Sequence, residues 1–260
     1  MDIKNIVPHK SIALFVKNIL VFEEADKFQK TILPFFADGY PGLMFQETNN
    51  GLFVNPHKKQ MPPFFLYGQT LKPIELSLEG SYRLIVFQLY PFVLKSFFNI
   101  NPKDINDNCY DLELLQNKTL GETLHALQSN TTLEYKIDTL SAFLYSNFQL
   151  KKEMLDFKVQ QAIQSILDNK GQSSIHQLCA ELKLSERTLE RRFLSEVGIS
   201  PKQFSKIIQF QLSLEQLSLK DFTKLTDIVY ANGFADQSHF IKVFKAFTGI
   251  TPKTFQKTSP

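Results

Sequence analysis

The chain has 260 residues, a length that suits two domains more readily than one. Apolar residues make up 43% and charged residues 21%, which is ordinary globular usage and excludes wholesale disorder or a collagen-like fibre. The 29 basic and 26 acidic side chains leave a net charge of only +3, so the chain as a whole does not have the charge of a strongly basic nucleic-acid binder.

Several functional classes lack their sequence signals. No apolar run reaches the roughly 18–20 residues that span a bilayer, and the N-terminus lacks a signal-peptide pattern. Cys109 and Cys179 are far apart and the histidines show no HxH or HExxH spacing, which argues against a disulfide framework or a metal site. Motifs for phosphate-binding loops and nucleophile elbows are absent. We therefore expect a cytoplasmic protein with no membrane partner, no cofactor, no metal and no catalytic residues.

The first part of the chain has the pattern of short β-strands. Leu43–Glu47 and Leu52–Val54 flank the turn-rich Thr48–Gly51, which predicts a hairpin. Three more strands are predicted, at Phe64–Tyr67, Ile74–Leu78 and Tyr82–Tyr90. Closely spaced strands with Gly and Pro turns predict a small, cupin-like β-barrel over about 28–90.

Helical patterns replace the strands after Pro91. The runs Thr131–Phe148 and Phe157–Asp168 have apolar residues at helical spacing. We therefore predict helices over about 91–150 and a domain boundary near 150–157. The expected fold class is α+β, with a barrel and its helices in 1–150 and an all-α domain in 157–260.

Charge divides unevenly across this boundary. Residues 1–156 carry 15 basic and 17 acidic side chains, net −2, whereas residues 157–260 carry 14 basic and 9 acidic side chains, net +5. Such asymmetry is a cue for nucleic-acid binding by the second half, although a solvated basic face would give the same count.

An internal repeat lies in the basic half. The stretch 184–204, LSERTLERRFLSEVGISPKQF, aligns at an offset of 51 with 235–255, ADQSHFIKVFKAFTGITPKTF. In each copy a helix is predicted to begin after Ser185 or Asp236 as the N-cap and to end at a glycine. A shorter apolar helix precedes each copy, and Pro201–Leu219 forms a connecting helix. The unit is a helix-turn-helix, present twice.

The second helix of such a unit enters the major groove of DNA, where its first turns face the base edges. Arg187 and Arg191 lie four residues apart on one helix face, and the repeat places Lys242 at the position equivalent to Arg191. Predicted base contacts are Arg187, Glu190, Arg191, Gln237, Ser238 and Lys242. Predicted contacts to the DNA backbone are Thr188, Arg192, Lys202, His239, Lys245 and Lys253. Two alternatives stay open: Glu190 could pair with a neighbouring arginine, and Arg192 could be merely solvated.

The C-terminal motifs resemble those of the AraC/XylS family of bacterial transcription regulators. They are LSERTLERRF at 184–193, GISPKQF at 198–204, GFADQSHFIKVFKAFTGITP at 233–252, and Phe255. The resemblance implies about seven helices in 157–260, with two recognition helices that read major-groove segments roughly 34 Å apart. It also implies double-stranded promoter or operator DNA as a partner, and RNA polymerase if the protein is an activator.

The N-terminal half is similar to effector domains that are joined to such regulators and have no defined ligand. The similarity rests on ILPFFADGYPGLMFQ at 32–46 and LYGQTLKPIELSLEGSYRLIVFQLYP at 66–91. It implies a role in binding a small-molecule effector and in dimerisation. Residues at the mouth of a ligand-binding barrel would be Phe36, Tyr40, Phe45, Tyr67 and Gln69. The alternative is a barrel filled by its own phenylalanine side chains.

Three functions compete at this stage. The first is a sequence-specific transcription regulator that is not an enzyme. The second is an enzyme of the DNA-repair type that carries the same DNA-binding module, which would require a reactive or zinc-bound cysteine. The third is a protein-binding or membrane-binding module with a degenerate DNA domain, against which the outward-facing arginine pair argues.

Overall fold

The computed structural model describes residues 1–56, 58–114, 118–129 and 132–258. A strand-rich half comes first and a helical half follows, which confirms the predicted α+β class. Among the described residues, no helix has both the length and the apolar character needed to cross a bilayer.

The strands form two antiparallel sheets. They are β1 (Asp2–Ile6), β2 (Val16–Glu24), β3 (Lys30–Phe35), β4 (Gly42–Thr48), β5 (Leu52–Asn55), β6 (Lys59–Gln60), β7 (Phe64–Tyr67), β8 (Ile74–Glu79), β9 (Tyr82–Leu89) and β10 (Cys109–Asp111). One sheet has the order β1-β2-β9-β4-β7-β10 and the other the order β3-β8-β5-β6. The three strands predicted from residue 64 onward are confirmed as β7, β8 and β9.

Three details of the predicted barrel are wrong. The sheets begin at Asp2 rather than near residue 28, because β1 and β2 pair with each other and β2 pairs with β9. The predicted hairpin does not form: β4 pairs with β7 and β9, whereas β5 pairs with β8 and β6. The two sheets also pack face to face without closing into a barrel. The turn at 48–51 therefore carries the chain from one sheet to the other.

The six-stranded sheet is covered on both faces because successive side chains of a strand point to opposite sides. In β4, Met44 packs between the two sheets. Its neighbours Leu43 and Phe45 belong instead to a larger apolar cluster on the side of the helices. Phe45 thus lies away from the space between the sheets.

The helices follow in chain order. They are α1 (Val93–Phe98), α2 (Lys118–Ser129), α3 (Leu133–Lys151), α4 (Phe157–Asp168), α5 (Ile175–Leu182), α6 (Glu186–Val197), α7 (Pro201–Leu219), α8 (Leu225–Ala231), α9 (Gln237–Thr248) and α10 (Pro252–Thr258). The helix predicted from Thr131 begins at Leu133, and residue 131 itself lies outside the described residues. From residue 157 to 258 the described chain forms seven helices, the number that the resemblance implied.

The larger apolar core runs through both halves of the chain, from Ile12 to Phe247. At the junction, Gly39 lies against the ring of Phe204 on α7. The side-chain amide of Gln211, also on α7, donates a hydrogen bond to the carbonyl of Ala37. The loop around residues 37–39 is therefore a contact between the strand-rich half and the connecting helix.

Candidate nucleic-acid interface

The two long helices of the repeat, α6 and α9, begin at their predicted caps. The hydroxyl of Ser185 accepts from the backbone N–H of Thr188 at 3.3 Å, and the carboxylate of Asp236 accepts from that of His239 at 2.7 Å. Both helices end at a glycine in the left-handed conformation, Gly198 with φ 83° and Gly249 with φ 79°. Local sequence therefore determines both ends of each helix.

One face of each helix is buried and the opposite face is open. On α6, Leu189 and Phe193 are fully buried; on α9, Phe240 and Phe244 are. All six side chains that we predicted to contact bases are exposed: Arg187, Glu190, Arg191, Gln237, Ser238 and Lys242. Among the described residues, no ion pair joins Glu190 to either arginine, so these charges are presented to solvent.

Arg192 differs from the other residues predicted at the DNA backbone. Its guanidinium donates two hydrogen bonds to Asp156, from Nε to Oδ2 at 2.7 Å and from Nη2 to Oδ1 at 3.0 Å. Asp156 is also the N-cap of α4. Because this paired geometry is a strong form of ion pair, Arg192 fastens α6 to α4. The guanidinium keeps further N–H donors, so a contact of Arg192 with a DNA phosphate stays a prediction.

Lys202, Lys245 and Lys253 are exposed, whereas Thr188 and His239 are half-buried. The hydroxyl of Ser185 donates to that of Thr188 at 2.9 Å. His239 packs edge-on against Phe234, with ring centroids 5.7 Å apart.

A groove of about 520 Å³ separates the first turns of α7 from α9. Its polar lining consists of Ser200, Lys202, Gln203, Lys206, His239 and Lys242. Three lysines therefore face a cleft between the two helix-turn-helix units. Lys206 was not among the predicted contacts, although it lies one helical turn after Lys202.

The C-terminal end of α6 is held by the strand-rich half. The amide of Gln69 donates to the carbonyl of Val197 at 2.8 Å, and the amide of Asn106 donates to that of Gly198 at 3.1 Å. Gln69 is only 1% exposed. These bonds satisfy carbonyls that the end of a helix leaves without intrahelical partners.

The five residues predicted to line a ligand site do not share one cavity. Phe36 faces Phe255 in a cleft of about 720 Å³ between the two halves. Tyr40 packs edge-on against Tyr90, while Phe45 lies in the larger core beneath the ammonium of Lys136. Gln69 instead donates a hydrogen bond to the C-terminal end of α6. Only Phe45 and Tyr67 lie in strands, on opposite faces of the six-stranded sheet, whereas the other three residues lie in connecting segments.

Tyr67 alone of the five lines a small cavity of about 70 Å³ in the strand-rich half. Apolar side chains from both sheets form most of its wall: Phe35, Met44, Val54, Met61, Phe65, Ile74 and Leu76. Thr70, Lys59, Asp107, Asn108 and Cys109 also line it. This set of residues could not be predicted, because its members come from both sheets and the pairing of the strands was not known from the sequence.

Two other titratable groups have pKa values that burial shifts. Burial raises the pKa of Asp38 to about 6, although hydrogen bonds from the Tyr40 N–H and the Gln88 amide oppose the shift. Burial, aided by the carboxylate of Glu186, raises the pKa of the Cys179 thiol. Within the described ranges, no three His, Cys, Asp or Glu side chains come together as a metal site.

Two protein families match the chain. The family described as "Helix-turn-helix domain" matches residues 178–258, and the "Domain of unknown function (DUF6597)" matches residues 4–111.

The curated relatives match part of the chain, over 87 to 103 residues. The HTH-type transcriptional regulator MtrA of Neisseria gonorrhoeae is 29% identical over 103 residues, which cover 39% of this chain and 34% of MtrA. The uncharacterized HTH-type transcriptional regulator SAS0078 of Staphylococcus aureus is 30% identical over 87 residues, covering 34% of this chain and 12% of that protein.

Among solved structures, ToxT from Vibrio cholerae O395 has 15% sequence identity and a TM-score of 0.47, over 93% of this chain and 97% of that one. A probable AraC family transcriptional regulator from Rhodopseudomonas palustris has 27% identity and a TM-score of 0.37, over 40% of this chain and 100% of that one. Residues 178–258 match the helix-turn-helix family over the stretch where the structure has the repeated pairs of helices, as the sequence predicted.

Proposed function

We propose that the protein is a bacterial, cytoplasmic transcription regulator that binds double-stranded DNA through α6 and α9. The observation that carries the proposal is the repeated presentation of a positive side chain at equivalent positions, Arg191 on α6 and Lys242 on α9, each on a helix whose opposite face is buried and apolar. Arginine can bind guanine through two hydrogen bonds. The lysine on the second helix would discriminate less strongly between bases.

The groove between α7 and α9 supports the same proposal. Lys202, Lys206 and Lys242 line it, between the two candidate reading helices. A DNA backbone that passes from one major-groove segment to the next would place phosphates along this line. These lysines would position the duplex, while residues on the two helices would read bases.

The strand-rich half supplies regulation in this proposal, through a bound effector or through a second copy of the chain. If the protein activates transcription, RNA polymerase is a further partner. An enzymatic function of the DNA-repair type is less well supported. Cys179 packs in the core, where burial raises the pKa of its thiol and so disfavours the reactive thiolate.

The experiment is selection of bound sequences from a random duplex library, followed by affinity measurements on the selected site. Arg191→Ala and Lys242→Ala should each weaken specific binding by about 1–3 kcal/mol. Each should also relax the base preference at one end only, with the two ends about one helical turn apart.

Lys10→Ala, which removes an exposed positive charge from the strand-rich half, is the matched control and should leave the preference unchanged. The proposal fails if the unaltered protein enriches no sequence, or if both variants on the reading helices bind the selected site as tightly as the unaltered protein.

A further inference from the structure

The loop that joins α4 to α5 contacts the second helix-turn-helix unit directly. The side-chain amide of Gln172, in this loop, donates a hydrogen bond to the carbonyl of Ala231, the last residue of α8, at 3.0 Å. The two residues are 59 positions apart in the sequence. The first unit, which contains α5 and α6, is therefore joined to the second, which contains α8 and α9, by a contact that does not pass through α7.

Two glycines let the backbone of both units approach the same side of α7. A Cβ atom on Gly171 would overlap the carbonyl oxygen of Ser205 and would lie 3.0 Å from the side chain of Gln209. A Cβ atom on Gly233, in the turn of the second unit, would lie 2.9 Å from the side chain of Gln172 and 3.0 Å from the amide nitrogen of Gln209. The loop and the turn therefore meet at these two glutamines, Gln172 and Gln209, which we call the brace.

The turn of the second unit is also fixed to α7. Asn232, which is 4% exposed, lies in this turn. Its amide donates to the side-chain oxygen of Gln216 on α7 at 2.7 Å and to the carbonyl of Ile228 at 2.9 Å. The turn leads into α9 at Gln237. The position of the turn therefore sets where the second reading helix begins.

The other contacts of the two reading helices with α7 are apolar. Phe204 of α7 packs against Phe193 of α6, with ring centroids 5.8 Å apart. Phe210 of α7 packs against Phe244 and Phe247 of α9, with centroid distances of 5.5 and 5.0 Å. Apolar contacts are not directional, so alone they leave each unit free to turn about α7. α7 sets the distance between the units along its axis, whereas the brace sets the angle between them.

From this geometry we infer that the brace fixes the separation of α6 and α9, so that the protein accepts one spacing between the two DNA segments it reads. Gln172 and Gln209 are then positioning residues that determine specificity for spacing. This inference rests on the proposed function. One extra base pair between the segments moves one of them by about 3.4 Å along the duplex and by about 35° around it. A braced pair of helices does not follow this shift, whereas a pair that turns about α7 does.

The test compares the unaltered protein with the brace variant, which carries Gln172→Ala and Gln209→Ala. Residue 172 lies in an exposed loop and alanine favours the helix at position 209, so we expect the variant to fold. Affinity is measured for the DNA site selected by the unaltered protein, and for the same site with one base pair inserted or removed between its ends. The unaltered protein should lose about tenfold or more on either change, and the brace variant about threefold or less.

The double variant Gln161→Ala with Gln164→Ala is the matched control. It makes the same two truncations on the exposed face of α4 and should keep the tenfold loss of the unaltered protein. A variant that is merely less stable loses affinity for all three sites alike. The ratio of affinities between the sites therefore separates positioning from a general loss of stability.

A second measurement needs no DNA. Nitroxide labels on Ser195→Cys in α6 and Ala246→Cys in α9, both at exposed positions, report the separation of the two helices by double electron–electron resonance. The chain's own cysteines are removed as Cys109→Ser and Cys179→Ala. The distance distribution should be broader in the brace variant than in the chain with both glutamines.

Equal losses on lengthened and shortened sites in the unaltered protein and the brace variant would overturn the inference. An unaltered protein that tolerates both changes of spacing, or distance distributions of equal width, would also overturn it. If the unaltered protein selects no DNA sequence, the proposed function fails, and the distance distributions still decide whether the brace fixes the two helices.

Discussion

At the scale of single residues, Asp38 makes stability depend on pH. It is half-buried in the loop that contacts α7, and its burial raises its pKa to about 6. A carboxyl group whose pKa is higher in the folded state binds more protons there than in the unfolded state, between about pH 4 and 6. The free energy of unfolding therefore decreases as pH rises through this window.

We predict that Asp38→Asn removes this decrease. Asparagine can still accept the N–H of Tyr40, but it has no charge to bury. The variant and the unaltered protein should have similar stability near pH 4, and the variant should be more stable at pH 8 by about 1–3 kcal/mol. Urea unfolding at both pH values measures this, and a difference that stays constant from pH 4 to 8 would contradict it.

Hydrogen-bond partners that are close in sequence could be predicted, whereas distant partners could not. The caps Ser185 and Asp236 were predictable because each bonds within three residues of itself. The pair formed by Arg192 and Asp156 spans 36 positions, and the bond from Gln69 to Val197 spans 128. No local pattern encodes such partners, so the sequence alone did not show that Arg192 pairs with Asp156.

At the scale of elements, the two copies of the repeat share a sequence pattern but have different surroundings. Gly198 and Gly249 both end a long helix in the left-handed conformation. A Cβ on Gly198 would lie 2.8 Å from backbone atoms of Pro102 and Lys103, whereas one on Gly249 would meet only Pro73 at 3.7 Å. The strand-rich half therefore packs tightly on the end of α6 and loosely on the end of α9.

This difference predicts unequal costs for the same substitution. Gly249→Ala should reduce the free energy of unfolding by about 1–2 kcal/mol, the cost of placing alanine in a left-handed conformation. Gly198→Ala should cost about 1–3 kcal/mol more, because backbone atoms must also move. Denaturant unfolding of the two variants measures both costs, and equal values would show that the contact with 102–103 is not tight.

The strands show the same division between local and distant information. Most strand positions could be predicted from alternating side chains and Gly or Pro turns, as β7, β8 and β9 show. Their partners could not, because β4 and β5 are separated by a short turn and still belong to different sheets. The pairing reflects burial, because β4 has five consecutive buried residues. It lies between two neighbouring strands, whereas a strand in an isolated hairpin has only one neighbour.

At the scale of the whole molecule, the boundary seen in sequence and charge is not a boundary in the core. One apolar cluster includes Phe87 of β9, Phe97 of α1 and Phe204 of α7. Part of the phenylalanine excess thus fills a core that both halves share. A change in the strand-rich half therefore acts on a body packed directly against the helix-turn-helix half.

A shared core predicts that the full chain unfolds in one cooperative transition. Separating the halves would expose Phe204 and Ile207, which pack against the loop at Gly39, and would leave the carbonyls of Val197 and Gly198 without their amide donors. That cost opposes independent unfolding of either half. Urea titrations followed by far-ultraviolet circular dichroism and by tyrosine fluorescence should therefore coincide, with a denaturant dependence that reflects surface from the whole chain. A fragment of residues 157–260 should unfold at lower urea than the full chain, because it lacks the partner surface. Two separate transitions, one of them superimposing on that of the fragment, would show instead that the halves are only tethered.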